Sequence, residues 1–178
     1  MAVDTSVIGK PTSARRVRVE RGPIEFFATA VQDANPIYHD AGAAAAAGFS
    51  GIPAPPTFSF VMGHLGTRGE EQPPDPTGGK NPMFGVMGEL MAKGGLVLHG
   101  EQEFIYHGGD WPHVGDTLVG EGAISDVYEK EKSSGGKLEF YVTETTWKNE
   151  RTGKPVVTTK FTLAINCKAD AADPKPLS

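Results

Sequence analysis

Residues 156–167 read Val-Val-Thr-Thr-Lys-Phe-Thr-Leu-Ala-Ile-Asn-Cys, and this stretch decides the fold. The odd-numbered positions of the stretch are mainly apolar and include Val157, Phe161, Leu163, Ile165 and Cys167. The even-numbered positions are mainly polar and include Thr158, Lys160, Thr162 and Asn166. Alternation of this kind, with β-branched and aromatic residues, is typical of a strand with one face on a core. The sequence therefore predicts a strand over Val156–Cys167.

Similar patterns precede this strand. They predict further strands at Leu96–Tyr106, Thr117–Glu129 and Leu138–Lys148. Short Gly-containing segments at 133–136 and 151–153 separate the last strands, and such segments form tight hairpin turns. We therefore expect the last three strands to form an antiparallel meander.

The first half of the chain is predicted to be mainly helical. Arg15–Val19 is a candidate edge strand, and Pro23 then stands near the start of a helix that Pro36 ends. Ala41–Ala47 is nearly all alanine, the best helix former. Thr57–Leu65 is apolar, and such a helix needs a sheet to cover it. These elements predict an α+β fold in which an antiparallel sheet wraps around a central apolar helix.

Length and composition exclude several classes of protein. A chain of 178 residues with 38% hydrophobic residues suits one domain with its own core. A net charge of −5 disfavours a nucleic-acid partner. The single cysteine allows no internal disulfide, and the histidines lack metal-ligand spacing, so we expect no metal. Without a membrane span or a signal pattern, we expect a cytoplasmic protein that does not enter a membrane.

The predicted domain organisation is simple. Residues 1–14 form an N-terminal arm, and residues 15–168 form the domain. Within the domain, the Pro- and Gly-rich segment at 67–82 is predicted to be an exposed excursion. Residues 169–178 are polar and are predicted to be a flexible tail.

The stretch from Gln32 to Asp40 contains the strongest candidates for catalytic side chains. It places Asp33, Asn35 and His39 close together after a helix and around a proline. An Asp and a His can together orient and deprotonate a water molecule. The same residue types also cap helices and start turns. The residues alone leave both interpretations open.

Several separate segments together resemble the MaoC-like hot-dog dehydratases. These segments are 23–40, the Ala-rich helix, Gly48-Phe49, 54–58, 98–104 and 114–118. The resemblance implies a hot-dog fold, which is a sheet wrapped around a central helix. It also implies action on acyl thioesters of coenzyme A or acyl carrier protein, by hydrating trans-2-enoyl groups to (R)-3-hydroxyacyl groups or by the reverse dehydration.

This chain departs from the family motif at two positions, which concern the catalytic base and the oxyanion donor. The active members carry Asp-x-Asn-Pro-(aliphatic)-His, whereas this chain has Tyr38 at the last position and His39 one residue later. The active members also carry His-Gly at the start of the central helix, where a backbone N–H stabilises the thioester oxyanion. This chain has Pro55 and Pro56 there, so the Thr57 N–H is the donor that remains.

These departures are typical of accessory subunits, such as those of mycobacterial (3R)-hydroxyacyl-carrier-protein dehydratases. We predict an acyl-CoA or acyl-carrier-protein binding subunit that needs no cofactor and forms a homodimer or a heterodimer with a catalytic hot-dog subunit. The catalytic candidates are Asp33 and His39. The candidate substrate-binding residues are Asn35, Tyr38, Pro56, Thr57 and Phe58.

Other interpretations remain open at this point. The alternative is a self-sufficient, homodimeric (R)-specific enoyl-CoA hydratase that uses Asp33 and His39. A third interpretation is a scaffold without chemistry. His99 is either a structural strand histidine or part of the pocket or dimer seam.

Overall fold

The computed structural model describes residues 3–65, 96–108, 111–133 and 135–166. The excursion predicted at 67–82, Cys167 and the tail predicted at 169–178 lie outside the described residues. Within the described ranges, no helix is long and apolar enough to cross a membrane.

The described residues form a sheet, three α-helices and two short 3₁₀ turns. The strands are β1 (Pro11–Arg18), β2 (Leu96–Tyr106), β3 (Thr117–Glu131), β4 (Lys137–Asn149) and β5 (Pro155–Asn166). The helices are α1 (Arg21–Ala30), α2 (Ala41–Ala46) and α3 (Phe58–Leu65), and the 3₁₀ turns are Thr5–Val7 and Pro36–Tyr38.

The strands form one antiparallel sheet in the order β1-β3-β4-β5-β2. The predicted meander of β3, β4 and β5 is confirmed. Its register sets Trp147 opposite Val157 and Tyr141 opposite Leu163, so these apolar side chains share the inner face. β1 and β2 are the two edge strands.

Helix α3 packs on the inner face of the sheet, which confirms the central helix. The side chains of Phe58 and Met62 are buried together with Val17, Leu118 and Trp147. Burying a large apolar side chain of this kind contributes about 1.5–3 kcal/mol. The α+β hot-dog arrangement expected from the sequence is therefore the observed fold.

Two boundaries differ from the expectation. β1 begins at Pro11 rather than Arg15, so part of the predicted arm belongs to the sheet. Helix α1 ends at Ala30, well before Pro36, because Gln32 has a left-handed backbone with φ of 60°. The N–H of Asp33 then donates to the carbonyl of Ala28 at 2.8 Å, which closes the helix.

Strand β5 is buried on both faces, not on one. On its outer face Thr158 and Thr162 are also buried. The hydroxyl of Thr158 lies 2.7 Å from Nε2 of His107 and 3.0 Å from the hydroxyl of Thr146, so it is hydrogen-bonded within the sheet. The alternation predicted a strand with one face on the core, whereas β5 lies between two neighbouring strands and is buried on its second face as well.

Candidate functional site

The loop after α1 is held by its own polar side chains. Oδ1 of Asp33 accepts a hydrogen bond from the N–H of Asn35 at 3.1 Å. Oδ1 of Asn35 accepts one from the N–H of Ile37 at 3.2 Å. Each bond forms a turn of the kind that Asp and Asn favour. The turn-forming role that the sequence left open is therefore present, and it leaves Oδ2 of Asp33 outside these turns.

Tyr38 is the member of this loop that enters the interior. It is buried, with a relative exposure of 7%. Burial raises the pKa of its hydroxyl, and the negative charge of Asp33 raises that pKa further. The phenol is therefore protonated at neutral pH and can donate a hydrogen bond.

His39 has a different setting. Its backbone carbonyl accepts a hydrogen bond from Nη2 of Arg21 at 2.7 Å, and Nε of Arg21 also binds Glu25. The residue as a whole is half-buried.

An apolar pocket of about 270 Å³ opens beside this loop. Its lining residues are Ile37, Tyr38, Phe49, Pro53, Ala54, Pro56, Tyr106 and Trp111. Of the predicted site residues, Tyr38 and Pro56 line this pocket. Asp33, Asn35, His39, Thr57 and Phe58 are not among its lining residues.

Two aromatic residues that the sequence analysis missed form one wall of the pocket. The rings of Tyr106 and Trp111 lie 5.4 Å apart between centroids. Nε1 of Trp111 donates to the carbonyl of Ala54 at 2.7 Å, which fixes the indole against the segment before α3. Burial raises the pKa of Tyr106. These residues are far in sequence from the motif, and no local pattern marks them as neighbours.

The start of α3 borders the same pocket. Pro56 lines it and has no N–H, as the sequence indicated. Thr57 is exposed, and among the described residues its N–H has no hydrogen-bond acceptor. The N–H of Phe58 donates to the carbonyl of Pro55 at 2.9 Å. The ring of Phe58 is fully buried against Phe27 in the core.

His99 lies on the inner face of β2, beside α3. Its ring lies 4.5 Å from that of Phe161 and 5.8 Å from that of Phe60. His99 is exposed, and Phe60 is also partly exposed. His99 therefore lies on an edge strand of the described sheet, and its place in a dimer seam stays a prediction.

The buried carboxylate of Asp116 serves the turn before β3. One of its oxygens accepts a hydrogen bond from the N–H of His113 at 3.1 Å, and the imidazole Nδ1 of His113 lies 3.5 Å from it. This pair stabilises the segment that carries Trp111. In the part of the chain that the structure describes, no group of three acidic, His or Cys side chains is placed to hold a metal ion.

Comparisons with known proteins agree with this architecture. The family described as "FAS1-like, dehydratase domain region" matches residues 6–159. A UPF0336 protein of Saccharopolyspora erythraea is 30% identical over 98% of this chain and 97% of that protein. A UPF0336 protein of Parafrankia sp. is 34% identical over 71% of this chain and 74% of that protein.

Solved structures share the fold. The ChsH1-ChsH2 complex from Mycobacterium tuberculosis has a chain with a TM-score of 0.67 and 26% identity, over 94% of this chain and 92% of that chain. A chain of the HadBC (3R-hydroxyacyl-ACP dehydratase) complex from the same organism has a TM-score of 0.65 and 20% identity, over 91% and 99%. The chain therefore belongs to the FAS1-like dehydratase domain family and has the hot-dog fold of the MaoC-like dehydratases.

Proposed function

We propose that this chain binds the acyl part of a coenzyme A or acyl-carrier-protein thioester, as the accessory subunit of a hydratase or dehydratase pair. One observation carries the proposal. An apolar pocket is bordered by the motif loop and by the segment before α3, and its lining includes Tyr38 and Pro56, the two positions that differ from the family motif. A pocket with this lining can hold an acyl chain.

Tyr38 replaces the base of the family motif with a hydrogen-bond donor. A base near neutral pH needs a pKa close to the working pH. The pKa of Tyr38 is instead raised above its ordinary value, by burial and by Asp33. Tyr38 can orient an acyl group through its hydroxyl, but it cannot take a proton from water at neutral pH.

Pro56 has no N–H and therefore lacks the oxyanion donor, which is the second part of the family mechanism. Loss of one oxyanion donor costs about 10²–10³ in rate. The Thr57 N–H is the nearest remaining donor in sequence, but Thr57 does not line the pocket. Because the base and the oxyanion donor are both altered, the chemistry is assigned to a partner subunit.

The aromatic wall supports binding of an apolar chain. The indole of Trp111 is held by its bond to Ala54, and Tyr106 packs beside it. Rigid aromatic surfaces bury large areas at little entropic cost. The volume lies close to the lower end of the usual range for ligand pockets, roughly 300–1,000 Å³.

A dimer and a cytoplasmic location are part of the proposal. The ChsH1-ChsH2 and HadBC structures are complexes of different chains. By analogy with these complexes, we infer a second hot-dog subunit beside this one, which supplies the base and the oxyanion donor.

The experiment offers the purified chain crotonyl-CoA and a longer enoyl-CoA. We expect no hydration, but a change in tryptophan fluorescence that is lost in Trp111→Phe. Trp147 is buried in the core and serves as the internal reference. Adding a catalytic partner subunit should produce turnover.

Two results would contradict the proposal. Rapid hydration by the chain alone, abolished by Asp33→Asn, would identify a self-sufficient hydratase that uses Asp33 and His39. The absence of binding with every acyl chain offered would leave a scaffold without a thioester ligand.

A further inference from the structure

We propose that Glu101 and Glu103 on β2, an edge strand of the sheet within the described residues, select the partner subunit: they disfavour pairing of β2 with a second copy of this chain and favour a different hot-dog subunit whose facing strand carries Lys or Arg. The inference rests on the subunit pair of the proposed function and names the chemistry of the partner's edge.

The two edges of the sheet differ in a way that marks β2 as the pairing edge. β1 begins with a proline and carries Arg15, Arg16 and Arg18. Proline and charged residues are common means of preventing edge pairing. β2 is an 11-residue strand without proline, and its exposed side chains include Leu96, Leu98 and Tyr106, with relative exposures of 60%, 43% and 45%.

The apolar surface continues around the edge of β2 onto the inner face. Phe60 of α3 is 40% exposed and lies over His99. Leu98 lies opposite Ala164 on the outer face, and Val97 lies opposite Ile165 on the inner face. A strand added at this edge would therefore cover apolar side chains on both faces of the sheet.

The middle of β2 carries two acidic residues on one face. Glu101 lies opposite Thr162, and Glu103 lies opposite Lys160. Thr162 and Lys160 are two residues apart on β5 and therefore lie on the same face of the sheet. Nζ of Lys160 lies 3.6 Å from Glu103 and 3.9 Å from Glu144, so its charge is shared between two carboxylates. Among the described residues, Glu101 has no ion-pair partner.

Twofold symmetry brings these acids together. A second copy that pairs antiparallel with β2 along its whole length has its axis at the midpoint of the strand, which is Glu101. Glu101 then faces its own copy. An axis at Gln102 sets Glu101 opposite Glu103 twice, and an axis at Glu103 sets Glu103 opposite its own copy. Like charges directly opposite on paired strands are destabilising.

A partner strand with Lys or Arg opposite Glu101 and Glu103 replaces this repulsion with attraction. Opposite charges directly across a strand pair stabilise that pair. The apolar ends of β2 are complementary to many strands, whereas the acidic centre discriminates between them. The structure therefore assigns partner choice to Glu101 and Glu103.

The test uses sedimentation velocity on the full chain without any acyl thioester. The double variant Glu101→Lys/Glu103→Lys provides a hot-dog chain with a basic β2. A mixture of this variant with the wild type is expected to associate about tenfold more tightly than either chain associates with itself. Salt should weaken the mixed pair.

Two further variants control for net charge and for folding. Glu101→Gln/Glu103→Gln is expected to self-associate more tightly than the wild type, because the repulsion is gone. Glu121→Lys/Glu131→Lys makes the same change in net charge at exposed positions on β3, and should give no mixed pair. Circular dichroism confirms that each variant is folded.

Three outcomes would overturn the inference. These are a mixture no tighter than the separate chains, a Gln variant that behaves as the wild type, and a wild-type dimer that both substitutions leave unchanged. The last result would mean that Glu101 and Glu103 do not influence pairing with a second copy. Since no thioester is present, failure here is distinct from failure of the pocket to bind an acyl group.

Discussion

Tyr38 shows how one position combines two effects on a single hydroxyl group. Its ring belongs to the core cluster, and its hydroxyl is influenced by the carboxylate of Asp33. Both effects favour the neutral phenol. A residue that replaces a histidine in the motif therefore keeps its proton across the whole physiological range.

This arrangement predicts a dependence of stability on alkaline pH. The pKa of Tyr38 is raised in the folded state, so the folded chain holds a proton that the unfolded chain releases near the ordinary value of about 10. Stability is fully present below that value and is lost as pH rises through the folded-state pKa. Urea unfolding of the wild type should lose stability above about pH 10 more steeply than that of Tyr38→Phe.

The control for this prediction is Asp33→Asn. Removing the carboxylate charge should lower the phenolic pKa in an ultraviolet titration. The pKa should stay above its ordinary value, because burial is the larger cause. An unchanged titration would mean that Asp33 does not act on the hydroxyl.

Gln32, next to the motif, has an unfavourable backbone conformation. Its φ of 60° is left-handed, a conformation that costs a non-glycine residue about 1–2 kcal/mol, whereas glycine gives up about 0.5–1 kcal/mol through its flexibility. Gln32→Gly is therefore expected to raise the free energy of unfolding by about 0.5–1 kcal/mol. Gln32→Val should lower it, and urea titrations measure both changes.

At the scale of elements, the contact between β3 and β4 depends on a glycine. A Cβ at Gly120 would lie 2.9 Å from the ring of Trp147, which is closer than packing allows. Trp147 is held between the sheet and the core and cannot move aside cheaply. We expect Gly120→Ala to destabilise the fold by about 1–3 kcal/mol.

Gly22 provides the matched control in thermal or urea unfolding. It lies in α1, and a Cβ there meets no atom within 4 Å. Gly22→Ala should therefore stabilise the fold, by about 0.5–1 kcal/mol. Equal effects of the two substitutions would refute the packing argument.

At the scale of the whole molecule, the proposed loss of chemistry can be tested by restoring it. Pro56→Gly returns a backbone donor to the start of α3, and Tyr38→His returns a base to the motif. Each single variant should stay inactive with enoyl-CoA, because the other part is still missing. The double variant is expected to hydrate enoyl-CoA faster than either single variant in a spectrophotometric assay.

The double variant also needs a control for the integrity of the pocket. The fluorescence response of Trp111 to acyl-CoA should persist in all three variants. Inactivity of a double variant that still binds would show that further groups must come from a partner subunit. Activity of Pro56→Gly alone would contradict the assignment of Tyr38 as a group that cannot replace the base.

The sequence by itself determined the meander of β3, β4 and β5 and the central helix α3, because period-two alternation and an apolar run are local signals of burial. It also identified Tyr38 and Pro56, which differ from a motif of adjacent residues. The predicted roles stay predictions for all the candidate site residues, which are Asp33, Asn35, Tyr38, His39, Pro56, Thr57 and Phe58.

Only the tertiary structure decided which side chains share the pocket and which strands form the two edges of the described sheet. Tyr106 and Trp111 reach Tyr38 because β2 and the loop after it return beside the segment before α3, a contact between residues distant in sequence. The end of α1 at Ala30 followed from a left-handed Gln32, which no residue preference indicates. Such features depend on packing between elements, and a local pattern contains no information about it.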